Sequence, residues 1–540
     1  MTRRDPTPWL LGALAIATRV PFVPASLYDF DAAAFAEAIA SFEPLRFHPH
    51  PPGYTFYVLA AKAFHALGLD PPAALAAVSI LASAATVVAL YLFGRALADR
   101  RAGTVAASLY LASPLAWTYG AVQGTYGVGA ACATAIAFGA WRRLEGTGPS
   151  AATLALAAGL AAGFRPDTAI VLAPLLLVAV VLSPQARGTR ERLRALAQAV
   201  VAGTLGLALW IAPAASASGS WSGYRTAVAR QWQVVAFSNA QDQFTAALFR
   251  VVNLVKLVVY GGFALGPVAA LLFLVCARRS WGSLAVSPAA KTTLYVWLGG
   301  YLALAGGVAF GQPGMLLTAL PAACLVIGVG LTRAAPIDAG AAGLRWAIAG
   351  IVLSAVTFLT APGVGPRAFF DASASLPAKV STELELFTAP GIRLVDEQLG
   401  GAIARIRERY APDESVILTN VASFTRAAWA LPEYRVACYF AFAGFESRLP
   451  SRDIGEPRGT WALPGGTRWL LVLDADRHAL AVHDQIAERF ATGHEEGAAP
   501  DADRASVLTA IPVADVSELR FRAGRIELVG RDGSTAGWGR

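Results

Sequence analysis

Apolar residues run in long blocks up to Pro362 and thin out beyond it. After a first stretch at 9–25, the blocks fall near 72–94, 104–120, 122–141, 149–164, 167–184, 195–216, 250–277, 292–310, 312–332 and 344–361. Each is long enough, some only marginally, to cross roughly 30 Å of hydrocarbon as a helix. The pattern predicts a polytopic α-helical membrane protein with about 11 spans. The run Trp9–Ala25 lacks a small-residue cleavage pattern, and Arg19, Pro21 and Pro24 interrupt its outer end, so it reads as a retained anchor. From 363 to 540 the periodicity changes. VILTN, RVACYF, WLLVLDAD, VLTAIPV and RIELVG read as strands, and the segments around Glu397 and Asp484 read as helices. Alternating elements of this kind predict a C-terminal soluble α/β domain. The expected division is a transmembrane domain over 1–362, with a first outer loop at 26–71, and a polar domain over 363–540.

Loop charge orients the spans. Arg3 and Arg4, Arg95 to Arg101, Arg142 and Arg143, Arg187 to Arg194, Arg278 and Arg279, and Arg333 and Arg345 all fall on one side if each block crosses once. The positive-inside rule makes that side cytoplasmic. The N-terminus is then cytoplasmic, and the tail is periplasmic or otherwise extracytoplasmic. The apolar block Pro52–Leu67 is excluded from the count, because a crossing there would invert every later loop. It reads as an interfacial helix, a position that Tyr54, Tyr57 and Lys62 suit. Composition agrees with a multi-pass protein of the cytoplasmic (inner) membrane: mean hydropathy is +0.51 and 15% of residues are charged. The net charge of +8 resides in short loops and does not imply nucleic acid. The four cysteines show neither disulfide nor zinc spacing.

The polar residues that carry candidate chemistry gather on the outer side. Tyr28–Tyr57 places acids and imidazoles just after the first span, and a carboxylate beside a bilayer is a functional-site hypothesis. Asp29 and Asp31 stand at the start of a short helix that also carries Phe35 and Glu37. An acid there either caps backbone N–H groups or faces an open cleft. Asp31 is the catalytic candidate, a carboxylate able to take a proton from an acceptor hydroxyl or amine. His48 and His50 lie in a proline-stiffened turn ahead of Tyr54. They can bind a divalent metal, shuttle a proton or hydrogen-bond the loop, and no metal ligand set is assigned. Arg165, in GFRPD, suits an anionic phosphate or forms a local pair with Asp167. Gln123, Tyr126 and Arg225 add polar and aromatic groups on the same side. Asp474, Asp476 and His478 read as loop polarity.

At these residues the chain resembles the GT-C superfamily of membrane glycosyltransferases, within it the protein O-mannosyltransferase and lipid A aminoarabinose transferase group. Asp31, Phe35, Ala36 and Glu37 match the family's first-loop pattern, His50-Pro51-Pro52 its turn, and Gly124–Val128 a later segment. Where many relatives carry a second acid after the aspartate, this chain has Ala32, and where aminoarabinose-type relatives carry another aspartate after GTY it has Gly129 and Ala130. The resemblance implies a polyprenyl-phosphate sugar donor, a lipid, glycan or protein acceptor, no certain cofactor and an outer-face active site. The expected activity is inverting transfer of a hexosyl or pentosyl unit, with Asp31 as base. Asp29, Glu37, His48, His50, Tyr54, Gln123, Tyr126, Arg165 and Arg225 are expected to contact substrate, with Arg165 on the leaving phosphate. The rival readings are a lipid-carrier transporter or flippase and a non-catalytic membrane assembly protein.

Overall fold

The computed structural model describes residues 5–237, 243–280, 286–307, 313–333, 337–361, 384, 386–440, 459–461, 466–473, 508–512, 516–522, 525–530 and 535–539. Its contacts divide the chain into two compact units. The first comprises Met1–Val23, Pro51–Ala361 and Phe387–Ala389. The second comprises Pro24–His50, Pro362–Leu386 and Pro390–Arg540. The first outer loop thus groups with the tail rather than with the helices that flank it in sequence.

The first unit is a helix bundle. It holds α1 (Thr7–Arg19), α3 (Thr55–Ala66), α4 (Pro71–Leu97), α5 (Arg100–Ala112), α6 (Pro114–Ala121), α7 (Tyr126–Leu144), α8 (Ala151–Phe164), α9 (Pro166–Val181) and α10 (Thr189–Ala217). It continues through α11 (Trp221–Phe237), α12 (Gln243–Leu265), α13 (Pro267–Ser280), α14 (Pro288–Gly307), α15 (Leu320–Arg333) and α16 (Ile337–Thr360). Every apolar block read from the sequence contains at least one of these helices. Starts are set locally, by Asp70, Asp99, Ser113 and Ser150, whose side chains accept the backbone N–H three residues on. The 27-residue α4 is central and packs on α1, α3, α5 and α7. Where α8 crosses α10, Gly159 and Gly206 let the backbones touch: a Cβ on Gly159 would lie 2.6 Å from Gly203 O and 2.9 Å from Gly206 Cα.

Length and composition identify three described helices able to cross a membrane, within α4, α10 and α16, and up to five if two bent pairs each count as one span. Those pairs are α6 with α7, bent by 114°, and α12 with α13, bent by 108°. The expected 11 spans are not established by this measure, because Ser113–Pro114 and Gly266–Pro267 divide two apolar blocks into shorter helices, and α8, α9 and α15 have only 14, 16 and 14 residues. The anchor is one such short piece, since α1 has 13 residues and ends in a 3₁₀ turn at Val20–Phe22. The α3 helix has 12 residues, about 18 Å, too short to cross. Tyr57 is fully buried in the bundle, with its hydroxyl toward Leu75 O.

The second unit contains α2 (Phe30–Ala40), α17 (Ala389–Arg409) and α18 (Val421–Ala430). It also contains β1 (Ser415–Asn420), β2 (Arg435–Phe440), β3 (Gly459–Trp461), β4 (Trp469–Leu473), β5 (Leu508–Pro512), β6 (Val516–Arg522), β7 (Arg525–Gly530) and β8 (Thr535–Gly539). One sheet has the order β2-β1-β4-β5, with β1 parallel to β2 and β4 and β5 antiparallel to β4. Ile417, Leu471 and Leu473 of this sheet are fully buried against Ile406 and Leu431. A second, antiparallel sheet has the order β3-β6-β7-β8. The helix expected around Asp484 and the polar trio Asp474, Asp476 and His478 lie outside the described residues.

Candidate functional site

Asp29 and Asp31 have different jobs. Asp29 is the N-cap of α2, and its Oδ1 accepts the Ala32 N–H at 2.8 Å. Asp31 lies in the first helical turn, makes no capping bond, and keeps a side chain 30% exposed. Its Oδ1 faces His50 Nδ1 at 3.5 Å. His50 is buried and its ring also meets Phe35, with centroids 5.8 Å apart. Burial pushes the Asp29 carboxyl from its usual 3.8 up to about 7, and the Asp31 carboxylate acts in the same direction. The Ala32 N–H and the Arg426 guanidinium oppose that shift.

The turn that presents His50 is held locally. Glu43 and His48 pair through both backbone N–H groups, at 2.6 and 3.1 Å. The His48–Pro49 and Pro51–Pro52 peptide bonds are cis. His48 is half-buried, beside Glu43 rather than Asp31. Glu37 is half-buried too, but six positions beyond Asp31 it lies roughly 120° around the helix. Distant residues hold the other end of the loop. The Asp396 carboxylate accepts the N–H groups of Ala25 and Ser26 at 2.9 and 2.6 Å. Arg426 Nε donates to Leu27 O at 2.9 Å, and the Tyr28 hydroxyl to Leu386 O at 2.7 Å. Asp396 and Arg426 lie some 370 and 400 residues away in the chain, so no local pattern marks them.

In the first unit the candidates converge on Arg165. This residue is 7% exposed. Its Nε pairs with Asp167 at 2.9 Å and its Nη1 donates to Thr125 Oγ1 at 2.9 Å. Its guanidinium carbon stands 3.7 Å above the centre of the Tyr126 ring. The local pair with Asp167, one of the two readings, is therefore present. Tyr54 opens α3 with φ 46° and interacts electrostatically with Arg165, as does the buried Tyr301 of α14. Gln123 is 1% exposed, in the break between α6 and α7 rather than on an open surface. Gly53, at φ 111°, allows the reversal into α3 that no side chain would favour. Arg225 is not gathered with this group: it sits exposed on α11, beside a buried Tyr224 whose hydroxyl donates to Pro52 O at 2.9 Å. Thr125 lies within the Gly124–Val128 segment noted in the sequence, whereas Tyr301 was not singled out, because a lone hydroxyl in an apolar run carries no pattern. Among the described residues no three His, Cys, Asp or Glu side chains come together as a metal set. Among the described residues, the acid–imidazole pairing within 4 Å is Asp31 with His50.

Comparison with known proteins gives two kinds of match. Residues 49–212 match the family of dolichyl-phosphate-mannose-protein mannosyltransferases. No curated protein matches by sequence. Among solved structures, ArnT from Cupriavidus metallidurans in the apo state superposes with a TM-score of 0.57 at 15% identity, covering 94% of this chain and 98% of ArnT. The same protein bound to undecaprenyl phosphate gives 0.56 at 14% identity, over 94% and 98% of the two chains. The resemblance to the GT-C membrane glycosyltransferases thus holds at two levels: a family match over residues 49–212, and the fold of ArnT along nearly the whole chain.

Proposed function

We propose that this chain is a membrane glycosyltransferase that moves a monosaccharide from a polyprenyl-phosphate donor to an acceptor at the outer face of the cytoplasmic membrane. The observation that carries the reading is the division of labour at the start of α2. Asp29 satisfies the helix, which leaves the Asp31 carboxylate uncommitted to the cap, partly exposed, and 3.5 Å from His50 Nδ1. A partly exposed carboxylate, oriented by a buried imidazole, is suited to take a proton from an acceptor. Attack of that acceptor on the anomeric carbon breaks the bond to the lipid phosphate and inverts the centre. The phosphate leaves with added negative charge, for which a guanidinium is the suited partner. Arg165 is the residue we assign to it, sharing its charge with Asp167. Asp29, Glu37, His48, His50, Tyr54, Gln123, Tyr126 and Arg225 are the further residues we assign to substrate contact. The family match over 49–212 and the bound undecaprenyl phosphate of ArnT support a donor of this class.

The test uses purified full-length protein in proteoliposomes with radiolabelled polyprenyl-phosphate monosaccharides and, in separate arms, a lipid, a glycan and a peptide acceptor, with transfer of label to the acceptor as the readout. Wild type is expected to deplete the donor and release polyprenyl phosphate, and Asp31→Asn to reduce turnover by at least a hundredfold with an unchanged melting temperature. Turnover that survives in Asp31→Asn removes the aspartate from the mechanism. A second reading, passage of the lipid carrier across the bilayer, is favoured by the two broken helix pairs. It predicts labelled lipid crossing the membrane intact, with no release of sugar.

A further inference from the structure

Two apolar stripes meet on the outside of the helical unit. On α1 they are Trp9, Gly12 and Ile16, and on α4 Ala85, Val88 and Leu92, each at helical spacings of three and four. Between them runs an open groove of about 540 Å³. Its floor is thin, since a side chain on Gly12 would meet Val88 Cγ2 at 2.9 Å. Its walls are uncovered, with Trp9 71% exposed.

Both stripes end in charge at the same place. Three residues beyond Leu92 comes Arg95, and four before Trp9 comes Asp5. Asp5 accepts from Arg95 Nη1 at 3.1 Å, from Arg100 Nη2 at 2.6 Å, and from the Tyr91 hydroxyl. Asp5 and the α5 cap Asp99 stand against Arg95, Arg100 and the exposed Arg101, two acids against three guanidiniums, which leaves a positive balance. The two paired arginines still expose 47% and 63% of their side chains, enough to fork onto another anion. A channel apolar along its length and cationic at one end complements a molecule that is anionic at one end and apolar along its length.

We propose that the groove between α1 and α4 binds an anionic phospholipid, its phosphate on Arg95 and Arg100 and an acyl chain along Gly12 and Val88. The site lies in the leaflet next to the basic loops. A second copy of the chain could also pack small residues here, but it would bring two positive ends together.

The experiment is native mass spectrometry of the delipidated full chain in detergent, titrated separately with phosphatidylglycerol, phosphatidylcholine and inorganic phosphate. The expected result is several-fold more phosphatidylglycerol than phosphatidylcholine retained, and no adduct with phosphate alone. Filling the groove with Ala85→Leu and Ala89→Leu should reduce retention of both lipids several-fold. Arg100→Gln keeps the Arg95–Asp5 pair and should abolish the preference for phosphatidylglycerol, so it carries the test if the filled variant does not fold. Equal retention of the two lipids by wild type, retention indifferent to Arg100→Gln, phosphate binding as strong as lipid binding, or a dimer abolished by the filled groove would each overturn the proposal.

Discussion

Two aspartates two positions apart illustrate how much a single residue's surroundings decide. Spacing placed both at a helix start and left capping open for either, and the structure gives the cap to Asp29. The raised carboxyl of Asp29 has a consequence for pH. A group whose value rises from 3.8 unfolded to about 7 folded stabilises the fold fully below the lower value, and that contribution is lost as pH climbs through the upper one. Asp29→Asn keeps a side-chain cap and removes the titration. Its melting temperature relative to wild type is therefore expected to rise between pH 5 and pH 8, measured by thermal unfolding in detergent. A difference independent of pH would mean that Asp29 ionises normally. Arg165 was legible as a cation between two apolar blocks, and its pairing with Asp167 agrees with the spacing. The ring of Tyr126 beneath it was not, because residues 126 and 165 meet only through packing of α7 on α9.

Among the elements, the helices were readable because apolar blocks of this length have few alternatives. Their breaks were less so. Proline marked them, but a block of 16 to 28 residues does not reveal whether its helix continues, kinks or folds back. The strands divide the same way. The buried β1 and β4 read as apolar runs, whereas β6, VSELRFR, spreads three apolar residues among charged ones, β3 has three residues and β8 carries glycine. Close helix crossings were invisible, since nothing local distinguishes Gly159 from a glycine facing lipid. The geometry makes a definite prediction at that crossing. Gly159→Ala forces a methyl against the backbone of Gly203 and Gly206 and should cost about 1–3 kcal/mol, seen as a lower melting temperature. Gly261→Ala meets nothing within 4 Å and should leave the melting temperature unchanged.

For the molecule as a whole, the division into units matters more than the count of spans. The sequence supports a cut near 362, where apolar blocks end. Contacts instead join the loop at 24–50 to the tail, through hydrogen bonds that bridge more than 350 residues. Asp396 holds two backbone N–H groups of that loop, and charged hydrogen bonds contribute about 1.5–3 kcal/mol each. Asp396→Ala should make the loop at least tenfold more susceptible to limited proteolysis and reduce turnover in the proposed reaction, while Asp413→Ala, in the short turn before β1, serves as the control.

A segment that sits near the beginning of the gene but belongs by its bonds to the end cannot be inherited separately from it. Hybrids made by exchanging only the stretch beyond the last apolar block would pair a foreign clasp with a native loop, and the acid candidate at 31 would lose its footing. Recombination should succeed only when both stretches travel together, which makes this protein's natural unit of exchange discontinuous.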